Sequence, residues 1–189
     1  MKSLRLVGLM LLISCLASPA VAAKLGIFFD SNATVDNMVF QPATPFKIHV
    51  VMYDMNDSAQ GVEFKVVLPP EIVVLNQTYA DGSLAFPYYN QAEGATVGVQ
   101  VGLGDCILMM NDWHPTYEVL TMLVYCPTTL PTSTISLTGF PGPTGDTVPR
   151  YAQCPSIAPP LIQMTPTDGT FSVSVPAESS SWGAVKAQF

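Results

Sequence analysis

One stretch of the chain, residues 61–75, alternates most clearly between apolar and polar positions. Its apolar positions fall two residues apart, at Val62, Phe64, Val66 and Leu68. This period is typical of a strand with one face buried, which puts Phe64 between two sheets. Glu63 and Lys65 lie on the other face, where we expect them to pair in contact with solvent. The two prolines after Leu68 cannot donate to a strand ladder, so the strand is predicted to end there.

Similar patterns recur along the chain, separated by turns rich in Asp, Asn, Ser, Gly and Pro. They predict eight or nine short strands, at residues 24–30, 46–53, 61–68, 72–75, 96–101, 106–110, 117–126, 135–137 and 171–175. Residues 76–90 and 140–149 are predicted to be loops. Because no helical period is sustained before the C-terminus, the pattern indicates an all-β domain, a sandwich of two antiparallel sheets.

The N-terminus has a different character from this domain. A basic start with Lys2 and Arg5 precedes an apolar run too short to span a bilayer, and residues 20–22 are the small residues of a cleavage site. We therefore expect a signal peptide at residues 1–23, a sandwich domain at 24–176 and a C-terminal linker with a short helical tail at 177–189. Residues 12–15 also fit a lipobox, which would instead leave a lipidated Cys15 at the mature N-terminus.

Composition narrows the expected partners. Charged residues make up only 11% of the chain, against about a quarter in average domains. Without the signal peptide, 5 basic and 14 acidic residues remain, a net charge of 5 − 14 = −9. Such a surface disfavours nucleic acid and anionic membranes as partners. No second apolar stretch of about 18 residues predicts a membrane span, so we expect a secreted or cell-surface protein.

The cysteines that remain after cleavage are Cys106, Cys126 and Cys154. An exported chain with three cysteines is expected to form one disulfide and to leave one thiol. We favour Cys126–Cys154, since each of the two follows an apparent strand or turn, although the sequence alone leaves the connectivity open.

Candidates for metal binding and catalysis are few. Asp30, Asp54 and Asp57 lie in oxygen-rich turns that could hold calcium, but turn formation explains them more simply. We expect no cofactor. The only histidines are His49 and His114, and the sequence contains no Gly-x-Ser-x-Gly nucleophile elbow that could act with them. We therefore expect surface roles for both histidines and no enzymatic activity.

Aromatic residues in or beside the predicted loops are the most informative surface feature. They are Tyr88, Tyr89, Trp113 and Tyr117. Planar rings stack on sugar faces and also anchor protein interfaces, so these residues are candidates for a binding patch. The alternative is that they pack inward at the ends of the sandwich.

The central strand also resembles a known family. Cohesin-like and carbohydrate-binding-module-like sandwiches of secreted bacterial proteins carry a pattern close to Ala/Gly-x-Glu-Phe-x-Leu-x-x-Pro-x-x-Leu in this place. The matching residues here are Gly61, Glu63, Phe64, Leu68, Pro70 and Ile72, with a looser match at Leu123 in a later core strand. The resemblance implies a jelly-roll or immunoglobulin-like sandwich over residues 24–175. It also implies a non-catalytic module that attaches to a protein partner or, alternatively, binds an extracellular glycan.

The last residues resemble a short C-terminal tag of exported bacterial proteins. If the tail is helical, Trp182, Val185 and Phe189 share one face. The tag commonly finishes Leu-Tyr-Arg, whereas this chain finishes Ala187-Gln188-Phe189. We expect the tail to add little to the stability of the sandwich.

Overall fold

A computed structural model describes residues 23–80, 83–89, 96–109, 115–140, 147–154 and 158–174. In these residues the strands are β1 (Lys24–Phe28), β2 (Asn37–Phe40), β3 (Phe46–Tyr53), β4 (Asp57–Val67), β5 (Val73–Tyr79), β6 (Leu84–Tyr89), β7 (Thr96–Met109), β8 (Thr116–Tyr125), β9 (Leu130–Thr138), β10 (Arg150–Gln153), β11 (Leu161–Gln163), β12 (Thr165–Thr167) and β13 (Gly169–Val173). This part of the chain contains no helix long and apolar enough to cross a membrane.

The strands form two sheets that pack face to face, which confirms the predicted all-β sandwich. The first sheet has the order β12-β1-β3-β8-β5. The second runs β11-β10-β4-β9-β13-β2, and β7 joins it by pairing with both β4 and β6. Strand β4, the stretch with the clearest alternation in the sequence, therefore lies in the middle of the second sheet. One of its edges pairs with β7, and the other pairs with β10 and β9 at successive positions along the strand.

Two parallel pairs modify the predicted antiparallel arrangement. β1 pairs in parallel with β12 in the first sheet, and β2 pairs in parallel with β13 in the second. The chain passes from the first sheet to the second between β1 and β2 and again between β12 and β13. The N-terminal and C-terminal segments therefore cross side by side. Gly169 marks the close approach, because a Cβ atom at this residue would lie 2.5 Å from Cγ2 of the buried Ile27.

The core lies between the facing surfaces of the two sheets. The predicted inward face of β4 is confirmed, since Val62, Phe64 and Val66 are buried, as is Leu68 just after the strand. At one end of the core, the rings of Phe40 and Phe46 stack with centroids 3.8 Å apart. The remaining core consists largely of β-branched and aliphatic side chains from both sheets, as expected for strands that each bury one face.

One predicted loop and several short strands differ between the prediction and the structure. Residues 76–90 were predicted to be a loop, but β5 continues to Tyr79 and β6 spans Leu84–Tyr89. Pro87 lies within β6, a position that a strand tolerates when its N–H side needs no ladder partner. The short strands β2, β10, β11 and β12 were not predicted, because three or four residues are too few to show an alternating pattern.

Candidate binding surface

A groove crosses the outer face of the second sheet at β4. Its floor is a row of small residues that lie opposite one another in register, Gly102 on β7, Gly61 on β4 and Ala152 on β10. Leu161 of β11 continues the row and is 47% exposed. Because two of the four positions have no side chain and one has only a methyl group, the row forms a depression of about 250 Å³. The strand backbones are therefore open to close approach by a partner.

The polar side of the groove is a buried ion pair. Glu63 lies opposite Arg150 on one neighbouring strand and opposite Gln100 on the other. Arg150 Nε donates to Glu63 Oε1 at 2.7 Å, and the Nη2 atom of the same guanidinium contacts that oxygen as well. Gln100 Nε2 donates to Glu63 Oε2 at 3.2 Å. Both carboxylate oxygens thus have partners, and Glu63 is only 9% exposed although it is on the outer face.

The expected pairing of Glu63 with Lys65 on a solvent face is therefore wrong. The carboxylate is held instead by Arg150, which lies 87 residues further along the chain. Two nitrogens of the guanidinium converge on one carboxylate oxygen, and such charge-assisted hydrogen bonds can hold a carboxylate at a site largely removed from water. This arrangement gives the groove a rigid polar edge of fixed orientation.

A disulfide lies next to the groove, beyond Gly102 and Ala152 of its floor. The structure pairs Cys106 with Cys154, so the predicted Cys126–Cys154 bridge is wrong. Cys126 follows β8 in the first sheet, where it is buried and its thiol donates to the Thr128 carbonyl at 3.1 Å. Cys154 follows β10 in the second sheet, so the strand ends that the sequence suggested belong to different sheets.

The disulfide connects the two neighbours of β4 across that strand. Four β7 residues, 103–106, lie opposite the single β4 residue Gln60, because Gly102 pairs with Gly61 while Ile107 pairs with Ala59. Gly104 in this excursion has φ of 77°, a conformation that favours glycine. Strands two positions apart in a sheet are separated by about 9–10 Å. The Cα atoms of the bridged cysteines are 5.9 Å apart, so the excursion must leave the plane of the sheet to reach Cys154.

Asp57 fixes the start of β4 next to this bridge. Its Oδ2 atom accepts hydrogen bonds from Tyr151 Oη at 2.7 Å and from Gln153 Nε2 at 2.8 Å. Burial alone would raise the pKa of Asp57, but these bonds and one from the Ser58 amide outweigh it and hold the pKa below its usual value. Burial, together with the bond to Asp57, raises the pKa of Tyr151.

The candidate calcium residues have protein partners and do not come together. Asp30 accepts hydrogen bonds from the backbone of Thr34 and Val35 within its own turn, and Asp54 forms an ion pair with Lys24 at 2.8 Å. Asp57 is bonded as described above. In the described ranges, no group of three or more His, Cys, Asp or Glu residues is arranged to hold a metal. Calcium binding stays an untested prediction.

The aromatic candidates are distributed over two sheets. Tyr88 and Tyr89 belong to β6 in the second sheet, and their backbones lie opposite Gly98 and Val97. Tyr117 belongs to β8 in the first sheet, where it is half-buried and packs against the core. Trp113 lies outside the described residues, as do His114 and the tail residues Trp182, Val185 and Phe189.

The outer face of the first sheet is more polar. His49 was expected at the surface but is only 7% exposed, and its Nδ1 atom lies 2.6 Å from Glu118 Oε2. The hydroxyl of Thr121 donates to the second oxygen of the same carboxylate. A shallow depression lies beside this cluster and is lined by Lys47, Asn76, Thr78, Thr121 and Leu123. His49 therefore serves in packing and hydrogen bonding within this sheet.

Sequence reasoning missed most of the groove. Gly61 was predicted only as part of a family pattern and Gly102 only as the start of a bend, while Ala152 and Arg150 carried no prediction. A glycine inside a strand pattern often marks a bulge or a close approach of another backbone, and this signal was available at Gly61 and Gly102. The ion pair left no such signal, because its two charges come from distant parts of the sequence.

Of the comparisons with known proteins, the one with solved structures identifies the fold. No family model matches the chain, and no curated protein matches it. Among solved structures, it is similar to a non-cellulosomal cohesin from Archaeoglobus fulgidus, with a TM-score of 0.58 and 10% identity over 84% of this chain and 95% of that one. A cohesin module from a Clostridium perfringens family 33 glycoside hydrolase gives a TM-score of 0.60 and 10% identity, over 82% and 98%.

A third similar structure is a type I cohesin–dockerin complex from Clostridium thermocellum, with a TM-score of 0.55 and 9% identity over 81% of this chain and 99% of that one. The cohesin-like sandwich expected from the residues around Phe64 is thus confirmed. At about 10% identity the similarity defines the fold and leaves the function to be argued from the surface.

Proposed function

We propose that this chain is an exported, non-catalytic attachment module that binds a protein partner through the groove over β4. The observation that carries the proposal is the combination of a floor of Gly61, Gly102 and Ala152 with the rigid Glu63–Arg150 pair beside it. A floor of small residues lets a partner backbone or helix approach closely, and Leu161 offers an apolar contact. Interfaces of this kind combine a small apolar centre with oriented polar groups.

The fold supports the same interpretation. A cohesin-like sandwich occurs in the Clostridium thermocellum structure as the partner of a dockerin. A dockerin-like protein module is accordingly the first partner to test. The N-terminal basic and apolar residues support export, and β1 begins at Lys24, directly after the expected cleavage site.

A steric block tests the groove. A displayed library of dockerin modules is selected against the chain, and the affinity of a selected module is measured by biolayer interferometry. Ala152→Trp fills the groove with an indole ring and should weaken binding at least a hundredfold. Thr78→Trp is the matched control, because Thr78 is an exposed strand residue on the outer face of the other sheet, and it should leave the affinity unchanged.

The glycan alternative is an outcome of the same design. The wild-type chain and both tryptophan variants are applied to an array of neutral polysaccharides. Glycan binding that Ala152→Trp leaves intact, together with no dockerin selected from the library, would contradict attachment through the groove.

A further inference from the structure

The Cys106–Cys154 disulfide joins the two sides of the groove. Gly102 of the floor directly precedes the excursion at residues 103–106, and Ala152 of the floor lies two residues before Cys154. The bridge therefore ties the β7 side to the β10 side at one end of the depression. Any movement of the excursion relative to β10 would change the width of the groove at this end.

The position of the bridge makes it accessible to reagents. Cys106 is an exposed residue and Cys154 is partly exposed, so the bridge lies near the protein surface. Cys126, the third cysteine of the described chain, is 1% exposed and lies in the other sheet. It is therefore not placed to exchange with the bridge. Exposed disulfides are the ones that thiol exchange reaches most readily.

The strand ladders around β4 hold the core together independently of this bridge. β4 pairs with β7 along its whole length and with β10 and β9 on its other edge, and those ladders remain when the sulfurs separate. The excursion is different, because four residues face only one residue of β4. Its position is fixed by its chain ends, by the burial of Leu103 and by the disulfide.

We propose that the Cys106–Cys154 bridge is a reducible tie between β7 and β10 beside the groove, so that attachment is tight when the bridge is oxidised and weak when it is reduced. This inference rests on the proposed function. Reduction breaks the S–S bond, and the two sulfurs take up two electrons and two protons to become thiols. The electrons and protons come from a dithiol, which is itself oxidised to a cyclic disulfide. Residues 103–106 and the end of β10 then separate, and the groove widens at this end.

The test compares the oxidised chain, the same chain reduced with dithiothreitol, and Cys106→Ser/Cys154→Ser. The readouts are the affinity for the selected dockerin module, amide hydrogen exchange along the chain, and cooperative unfolding in urea. We expect unfolding to stay cooperative while the affinity falls at least tenfold. Exchange at residues 98–103 and 161–163 should rise at least tenfold, and exchange in β5 should not change. Cys126→Ser is the control and should behave as wild type.

An affinity that stays within twofold after reduction would overturn the inference, as would loss of all cooperative unfolding in both the reduced chain and the double variant. If the selection yields no dockerin, the proposed function fails on its own and exchange alone decides this inference. Faster amide exchange confined to the groove strands then supports the proposed role of the disulfide, and unchanged exchange rejects it.

Discussion

At the scale of single residues, Asp57 links the start of β4 to β10. Its carboxylate accepts hydrogen bonds from Tyr151, Gln153 and the Ser58 amide, and together they hold its pKa below the ordinary value. A carboxyl group with a lowered pKa in the folded state stabilises the fold above its unfolded pKa, about 3.9, and loses that contribution as the pH falls through the folded pKa.

We therefore expect Asp57→Asn to be less stable than wild type at pH 7. The difference should shrink as the pH falls from about 4 through the lower folded pKa, where the wild-type carboxylate becomes protonated in the folded chain. Urea unfolding at a series of pH values measures this, with Asp36→Asn as the control, because Asp36 is exposed. A destabilisation that stays constant from pH 7 to pH 2 would show that the charge of Asp57 contributes nothing.

At the scale of elements, Gly169 of β13 lies against Ile27 of β1, where the N-terminal and C-terminal segments meet. A Cβ atom on Gly169 would lie 2.5 Å from Cγ2 and 3.1 Å from Cβ of Ile27. Ile27 has no exposed surface, so it has no free space into which it can move. Overpacking of this kind typically costs about 1–3 kcal/mol.

Gly169→Ala should accordingly lower the free energy of unfolding by about 1–3 kcal/mol. The same substitution should cost clearly less in an Ile27→Ala background, where the clashing methyl group is absent. Ser172→Ala, on the same strand, serves as the control and should change stability by under about 0.5 kcal/mol. Equal costs in the two backgrounds would mean that Ile27 is not the obstacle.

The elements also show what the sequence can reveal. β3 was predicted with its observed bounds, Phe46–Tyr53, because eight residues of alternating pattern are enough to identify a strand. β4 was predicted with the correct buried face for the same reason. β10 was missed because Arg150–Gln153 is too short for a period, and its position depends on pairing with β4. The groove was missed with it, since Ala152 of its floor and the arginine of its ion pair come from β10.

At the scale of the whole molecule, the buried core of the described residues ends before the tail predicted at residues 177–189. The buried core runs from Ala23 to Val173. β13 already has β9 on one side and β2 on the other, so the last described strand leaves no edge for a further segment of the second sheet at that point. Neither edge of β13 therefore needs a strand from the predicted linker and tail at residues 177–189.

A chain truncated after Pro176 should fold and keep its thermal midpoint within a few degrees of the full-length value. Differential scanning calorimetry of the two chains measures this. A second truncation after Asp168 is the control, because it removes β13 with the buried Phe171 and Val173 and should abolish cooperative unfolding. If loss of the tail alone lowers the midpoint by about ten degrees, which corresponds to roughly 3 kcal/mol in a domain of this size, the tail belongs to the fold. If the midpoint stays within a few degrees, the sandwich does not need Trp182, Val185 and Phe189 for its stability.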